Sequence, residues 1–126
     1  MVCPFISRAA TAAALIALTM TSAPQAADAH ALLQSASPSV GGSVAGSPSA
    51  IRLEFSEGVE VRYSQVSVTG PGGAVPVSRP ANGGAKSTLV VKVGQPLKAG
   101  RYKVHWSVVS VDTHRTQGSF SFEVRP

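Results

Sequence analysis

Sulfur is nearly missing from this 126-residue chain, and what there is sits at its beginning. The one cysteine is Cys3, and the two methionines are Met1 and Met20. A single cysteine excludes an internal disulfide, and the chain beyond Met20 cannot ligate a soft metal through thiolate or thioether. Aromatic residues are also scarce at 6%. Charged residues make up 13%, and the basic ones are scattered from Arg52 to Arg125 without a run. That pattern excludes a nucleic-acid surface built on a basic stripe or on stacking aromatics. The net charge of +5 reads as a solvated surface. No stretch approaches the roughly 20 apolar residues that a membrane helix needs. No part of residues 30–126 shows a helical period either.

What those residues show is alternation with period two. Ile51, Leu53 and Phe55 fall on one face, with Arg52 and Glu54 on the other. Leu89, Val91 and Val93 repeat the pattern, with Lys92 opposed. Tyr102, Val104, Trp106 and Val108 form the longest stripe, and Phe120, Phe122 and Val124 the last. Such spacing sends alternate side chains into a core between sheets. Turn formers separate the runs, among them Ser37-Pro38, Gly41-Gly42, Asn82-Gly83-Gly84 and Ala99-Gly100. About seven strands are expected, near residues 30–36, 50–56, 62–69, 74–78, 87–93, 101–110 and 117–124. The Gly/Pro-rich residues 70–84 are expected to form a long loop or weak hairpin. The fold class is all-β, an antiparallel β-sandwich or Greek-key barrel. Tyr102, following Leu97-Lys98-Ala99-Gly100, fits a tyrosine corner whose hydroxyl returns to the backbone upstream.

The first 29 residues read as an export signal. Arg8 supplies positive charge, residues 9–20 an apolar core, and Ala27-Asp28-Ala29 a small-x-small cleavage site. Cleavage there leaves one domain, residues 30–126, beginning with His30. Its free α-amine and ring Nδ1 can close a six-membered chelate, which an internal histidine cannot do because its nitrogen is an amide. Farther along stand Asp112 and His114, two apart. If the chain is extended there, both side chains share a face and can share one ion. Together these residues offer three nitrogens and one carboxylate oxygen. That set suits one Cu(II) ion in tetragonal geometry, while zinc would take similar donors tetrahedrally. Because the metal must displace protons, affinity should fall as pH drops through roughly 8 to 6.

Each residue also has a plainer reading. Asp112 alone reads as a turn residue capping its own backbone, and His114 alone as an ordinary surface histidine. It is their conjunction with a histidine at the cleavage site that points to a metal. His105 has the parity opposite to Trp106 and should face solvent, with an adventitious metal role at most. Trp106, in an unbroken apolar stripe, reads as the core anchor.

The chain resembles the CopC family of periplasmic copper-binding proteins over essentially all of residues 30–126. The resemblance is carried by the opening His30-Ala31-x-Leu33 with Ser37-Pro38, by Leu53-Glu54-Phe55-Ser56-Glu57, and by the stretch from Leu97 to Ser110. It continues through Asp112-x-His114 and Gly118-x-Phe120-x-Phe122-x-Val124. It implies a cupredoxin-like or immunoglobulin-like barrel, with His30, Asp112 and His114 as ligands of Cu(II). Glu57 matches an acidic position near the site. Some family members carry a methionine-rich Cu(I) loop; residues 70–86 here contain no methionine, so Cu(II) alone is expected. The resemblance also implies an inner-membrane copper protein of the CopD type as partner. The expected protein is a monomeric periplasmic carrier or buffer in copper homeostasis or resistance, and not an enzyme. The alternatives are a small copper monooxygenase with an N-terminal histidine brace, or a metal-free adhesion or structural domain.

Overall fold

The computed structural model describes residues 31–126. The export signal and His30 therefore lie outside the described residues. Alternation becomes strand wherever the sequence carries it. The strands are β1 (Leu33–Ser37), β2 (Ser43–Ala45), β3 (Ala50–Phe55), β4 (Gln65–Gly70), β5 (Gly73–Val75), β6 (Ala81–Asn82), β7 (Thr88–Lys92), β8 (Gly100–Val109) and β9 (Arg115–Arg125). A single 3-10 turn, Val61–Tyr63, precedes β4.

Two sheets form, ordered β1-β3-β7-β6 and β2-β9-β8-β4-β5. The all-β sandwich expected from the stripes is the fold the chain adopts. Two short strands, β2 and β6, add to the seven expected. β2 runs parallel to β9, with Val44 opposite Val124, the one departure from antiparallel pairing among the named strands. Neither short strand is legible in the sequence, because two or three residues are too few to establish a period. Residues 70–84 resolve into a hairpin, β4 to β5, followed by a crossing to the other sheet, where Val77 bridges Val93.

The four stripes supply the core. Ile51, Leu53, Leu89, Val91, Val104, Val108 and Phe122 are all buried. The Phe55 ring meets Trp106 edge-on, with centroids 5.2 Å apart, and Tyr102 stacks on Phe122 at 5.6 Å. Gly118 faces Trp106 across the β8–β9 ladder, and a Cβ there would lie 2.6 Å from Trp106 Cζ2. The absent side chain is the space the indole occupies. The tyrosine corner is present: Tyr102 Oη donates to the Lys98 carbonyl at 2.7 Å.

Candidate metal centre

The buried stripe of β8 does not stop at Val108. Ser110 continues its parity and is completely buried, just past the end of the strand. It bridges Val59, and its N–H donates to the His114 carbonyl at 2.8 Å. The chain thus reverses over residues 110–114 and returns as β9. Thr113 donates its N–H to the Ser110 carbonyl at 2.8 Å and sits at φ 74°. A β-branched residue rarely takes that conformation, which costs on the order of 1–2 kcal/mol.

Asp112 and His114 are therefore brought together by a tight turn. The shared face inferred from the two-residue spacing held only for an extended chain, and positive φ at the intervening residue breaks strand alternation here. The two side chains nonetheless meet, with Asp112 Oδ1 3.5 Å from His114 Nδ1. Both are open to solvent, with side chains 36% and 55% exposed respectively, so an ion could reach them.

Ser110 organises the pair from beneath. Its hydroxyl donates to Asp112 Oδ1 and accepts from the His114 N–H at 3.3 Å. That donated bond is the main reason the Asp112 carboxyl is held below its ordinary pKa. Partial burial opposes the shift, and the neighbouring His114 imidazole adds to it through a hydrogen bond and its charge. The carboxylate is thus ionised and ready to ligate through the whole neutral range.

The start of the described chain is tied to the same place. Ala31 is completely buried, and its carbonyl accepts from Thr116 Oγ1 at 2.7 Å. Leu32 exchanges two bonds with Ser56, giving its N–H to Ser56 Oγ at 2.9 Å and accepting the Ser56 N–H at 2.8 Å. Thr116 is two residues beyond His114, so Ala31 is anchored beside the Asp112–His114 turn. The connecting segment also closes in here. Val111 donates to the Gly58 carbonyl at 3.0 Å, and Gly58 lies close enough to Val111 that a Cβ would be 3.1 Å from its Cγ1. Glu57, half-buried, precedes that glycine.

Among the described residues no group of three or more His, Cys, Asp or Glu side chains converges. The described part of the site contributes two donors, an imidazole and a carboxylate, whose chemistry fits a borderline divalent ion such as Cu(II) or zinc. His105 stays apart, exposed on β8 opposite Ser67 and Ser119. It faces away from the buried Trp106, as parity requires. Ser110 and Thr116 were not singled out from the sequence. Both continue a buried register, Ser110 after Val108 and Thr116 before Gly118, and a hydroxyl in an apolar stripe beside Asp112-x-His114 was the signal available.

Comparison with known proteins points in one direction. The family model described as the CopC domain matches residues 33–125. Protein YobA of Escherichia coli (strain K12) is 40% identical over 114 residues, covering 89% of this chain and 92% of that protein. Copper resistance protein C of Pseudomonas syringae pv. tomato is 38% identical over 106 residues, covering 79% and 83%. Among solved structures, PcoC, a methionine-rich copper resistance protein from Escherichia coli, superposes with a TM-score of 0.70 at 34% identity, covering 76% of this chain and 99% of that one. CopC from Methylosinus trichosporium OB3b gives 0.69 at 33% identity, with 77% and 95% covered.

Proposed function

The chain belongs to the CopC family, and on that premise we propose that it is an exported, non-catalytic carrier or buffer of Cu(II) in copper homeostasis or resistance. In this reading the signal is removed after Ala29 and the protein works in the periplasm as a monomer. It holds one Cu(II) through the His30 α-amine and imidazole, the His114 imidazole and the Asp112 carboxylate. Copper is the cargo, and an inner-membrane protein of the CopD type is its exchange partner.

The observation that carries the reading is the convergence of Asp112, His114 and the pinned Ala31 carbonyl at one end of the sandwich. The Thr116 bond keeps the Ala31 backbone beside the turn. The donor set supports the oxidation state. Residues 30–126 contain no cysteine or methionine, and nitrogen with carboxylate oxygen favours Cu(II) over Cu(I). The solved relative described as methionine-rich differs from this chain in that respect.

A monooxygenase would need a face for its substrate, and the aromatics do not supply one. Phe55, Tyr102, Trp106, Phe120 and Phe122 are buried, leaving Tyr63 as the exposed ring among the described residues. Relatives carrying the name copper resistance protein C also favour binding over catalysis.

The deciding experiment is a Cu(II) titration, against a competing chelator, of protein beginning at His30 and of protein with one residue added before it. Losing the amine removes a chelate ring, so affinity should drop at least about tenfold. Equal affinity in the two forms would sink the proposed ligand set. Mass spectrometry of the exported protein tests the cleavage point directly.

A further inference from the structure

β5 leaves its sheet early. Its last pairing with β4 is Val75 opposite Val68, and Pro76 follows. Proline has no N–H to extend the ladder, and the next residues join the opposite sheet, with Ser78 donating its N–H to the Lys92 carbonyl. Among the described residues, Gln65, Val66 and Ser67 of β4 consequently pair with β8 on one side and with no strand on the other. In an antiparallel strand alternate residues turn N–H and C=O to opposite neighbours. Some backbone donors and acceptors in this stretch must therefore face the side β5 has left.

A groove of about 740 Å³ lies along that side. Arg62, Arg79 and His105 line it. Ser67, Ser107 and Gln117 add hydroxyl and amide groups, and among the described residues no carboxylate lines it. The outer face of the four-stranded sheet is different. There Arg52 pairs with Glu54 at 3.6 Å, and Glu54 also accepts from Ser35. The Arg52 charge there has a carboxylate partner, whereas Arg62 and Arg79 line a groove that the described carboxylates do not.

We propose that this groove binds an extended, acidic segment of a partner protein, which adds as a strand to β4 at Gln65–Ser67 while its carboxylates meet Arg62 and Arg79. Strand addition supplies backbone hydrogen bonds to an open edge, and the flanking charges select the sequence. A membrane surface fits less well, because its headgroups cannot enter a groove to complete a ladder. The groove also adjoins the metal end of the molecule. Arg115, the residue after His114, donates to Ser107 Oγ at 2.6 Å and to the Tyr63 carbonyl at 3.3 Å. A segment held here would leave its parent protein beside the Asp112–His114 turn. The proposal stands whether or not copper is the cargo.

The test is a nuclear magnetic resonance titration of the isotope-labelled protein with a blocked peptide of alternating Glu and Thr, about six residues long. Saturable shifts centred on the Gln65, Val66 and Ser67 amides are expected. Affinity should fall about tenfold in the double variant Arg62→Gln, Arg79→Gln, since two ion pairs are lost. A similar loss is expected for a peptide with proline at each Thr, which keeps the charge but lacks those N–H donors. A Lys/Thr peptide should not bind. Shifts scattered over other basic residues, or undiminished binding to the double variant, would overturn the site. Equal affinity for the proline peptide would overturn strand addition. Saturable shifts caused by anionic vesicles, with none from the Glu/Thr peptide, would assign the groove to a membrane and overturn the proposal.

Discussion

Ser110 Oγ has one proton and two acceptors within reach, the Asp112 carboxylate and the His114 carbonyl, the latter at 3.2 Å. The charged acceptor takes it, because a hydrogen bond to an ionised group is roughly twice as strong as one between neutral groups. Ser110→Ala should therefore raise the Asp112 pKa toward the ordinary carboxylate value and loosen its position against His114. The carboxyl resonance followed against pH checks the first effect, and a several-fold loss of Cu(II) affinity the second. The sign of the shift fixes a pH window. A carboxyl held low stabilises the folded turn at every pH above its unfolded pKa, and that contribution disappears as pH falls through the lower folded value. At about pH 4, where a free aspartate is half protonated, Asp112 should remain mostly ionised. Copper lost as the pH falls from neutral toward about 4 would then not be caused by the Asp112 carboxyl. An affinity curve that follows the Asp112 carboxyl instead would contradict this assignment.

Strands placed most of what the stripes foretold, and the exceptions share a cause. β8 and β9 were legible because β8 buries Tyr102, Val104, Trp106 and Val108 in strict alternation and β9 does the same with Phe120, Phe122 and Val124. β2 and β6 were not, and neither was the positive φ of Thr113 within the expected break between the last two strands. Two substitutions test how the elements hold the site. Gly118→Val would push methyl groups into the space of the Trp106 indole and should cost about 1–3 kcal/mol or more, read as a lowered urea midpoint. Thr116→Val deletes the donor to the buried Ala31 carbonyl. It should cost about 1–3 kcal/mol and weaken copper binding by several-fold, because Ala31 is no longer pinned beside the turn. If Thr116→Val lowers stability but leaves affinity untouched, that tether is structural only.

At the scale of the whole molecule, the site lies where the two sheets meet. β1 belongs to the four-stranded sheet and β9 to the five-stranded one, and the Thr116–Ala31 bond joins their ends. An ion held by the chain start and the β8–β9 turn would clasp the two layers. Cu(II) at a hundredfold excess over its dissociation constant should then raise unfolding free energy by about 2.7 kcal/mol. A smaller gain is expected when a residue precedes His30, and thermal denaturation of both forms with and without copper checks it. With no cysteine beyond Cys3, a reducing agent should leave the midpoint unchanged.

Periodicity determined the sandwich and its core, because a side chain's face in a strand depends only on parity. Composition determined which donors were available, since the residues beyond Met20 carry no sulfur and can offer a metal only nitrogen and oxygen. Tertiary structure decided the rest. It alone brought Ser110 under the Asp112 carboxylate, joined Ala31 to Thr116 from 85 residues away, and, among the described residues, left half of β4 with a strand on one side only. Those are contacts between separate segments, set by how the chain crosses from one sheet to the other. No local pattern of residues encodes that crossing.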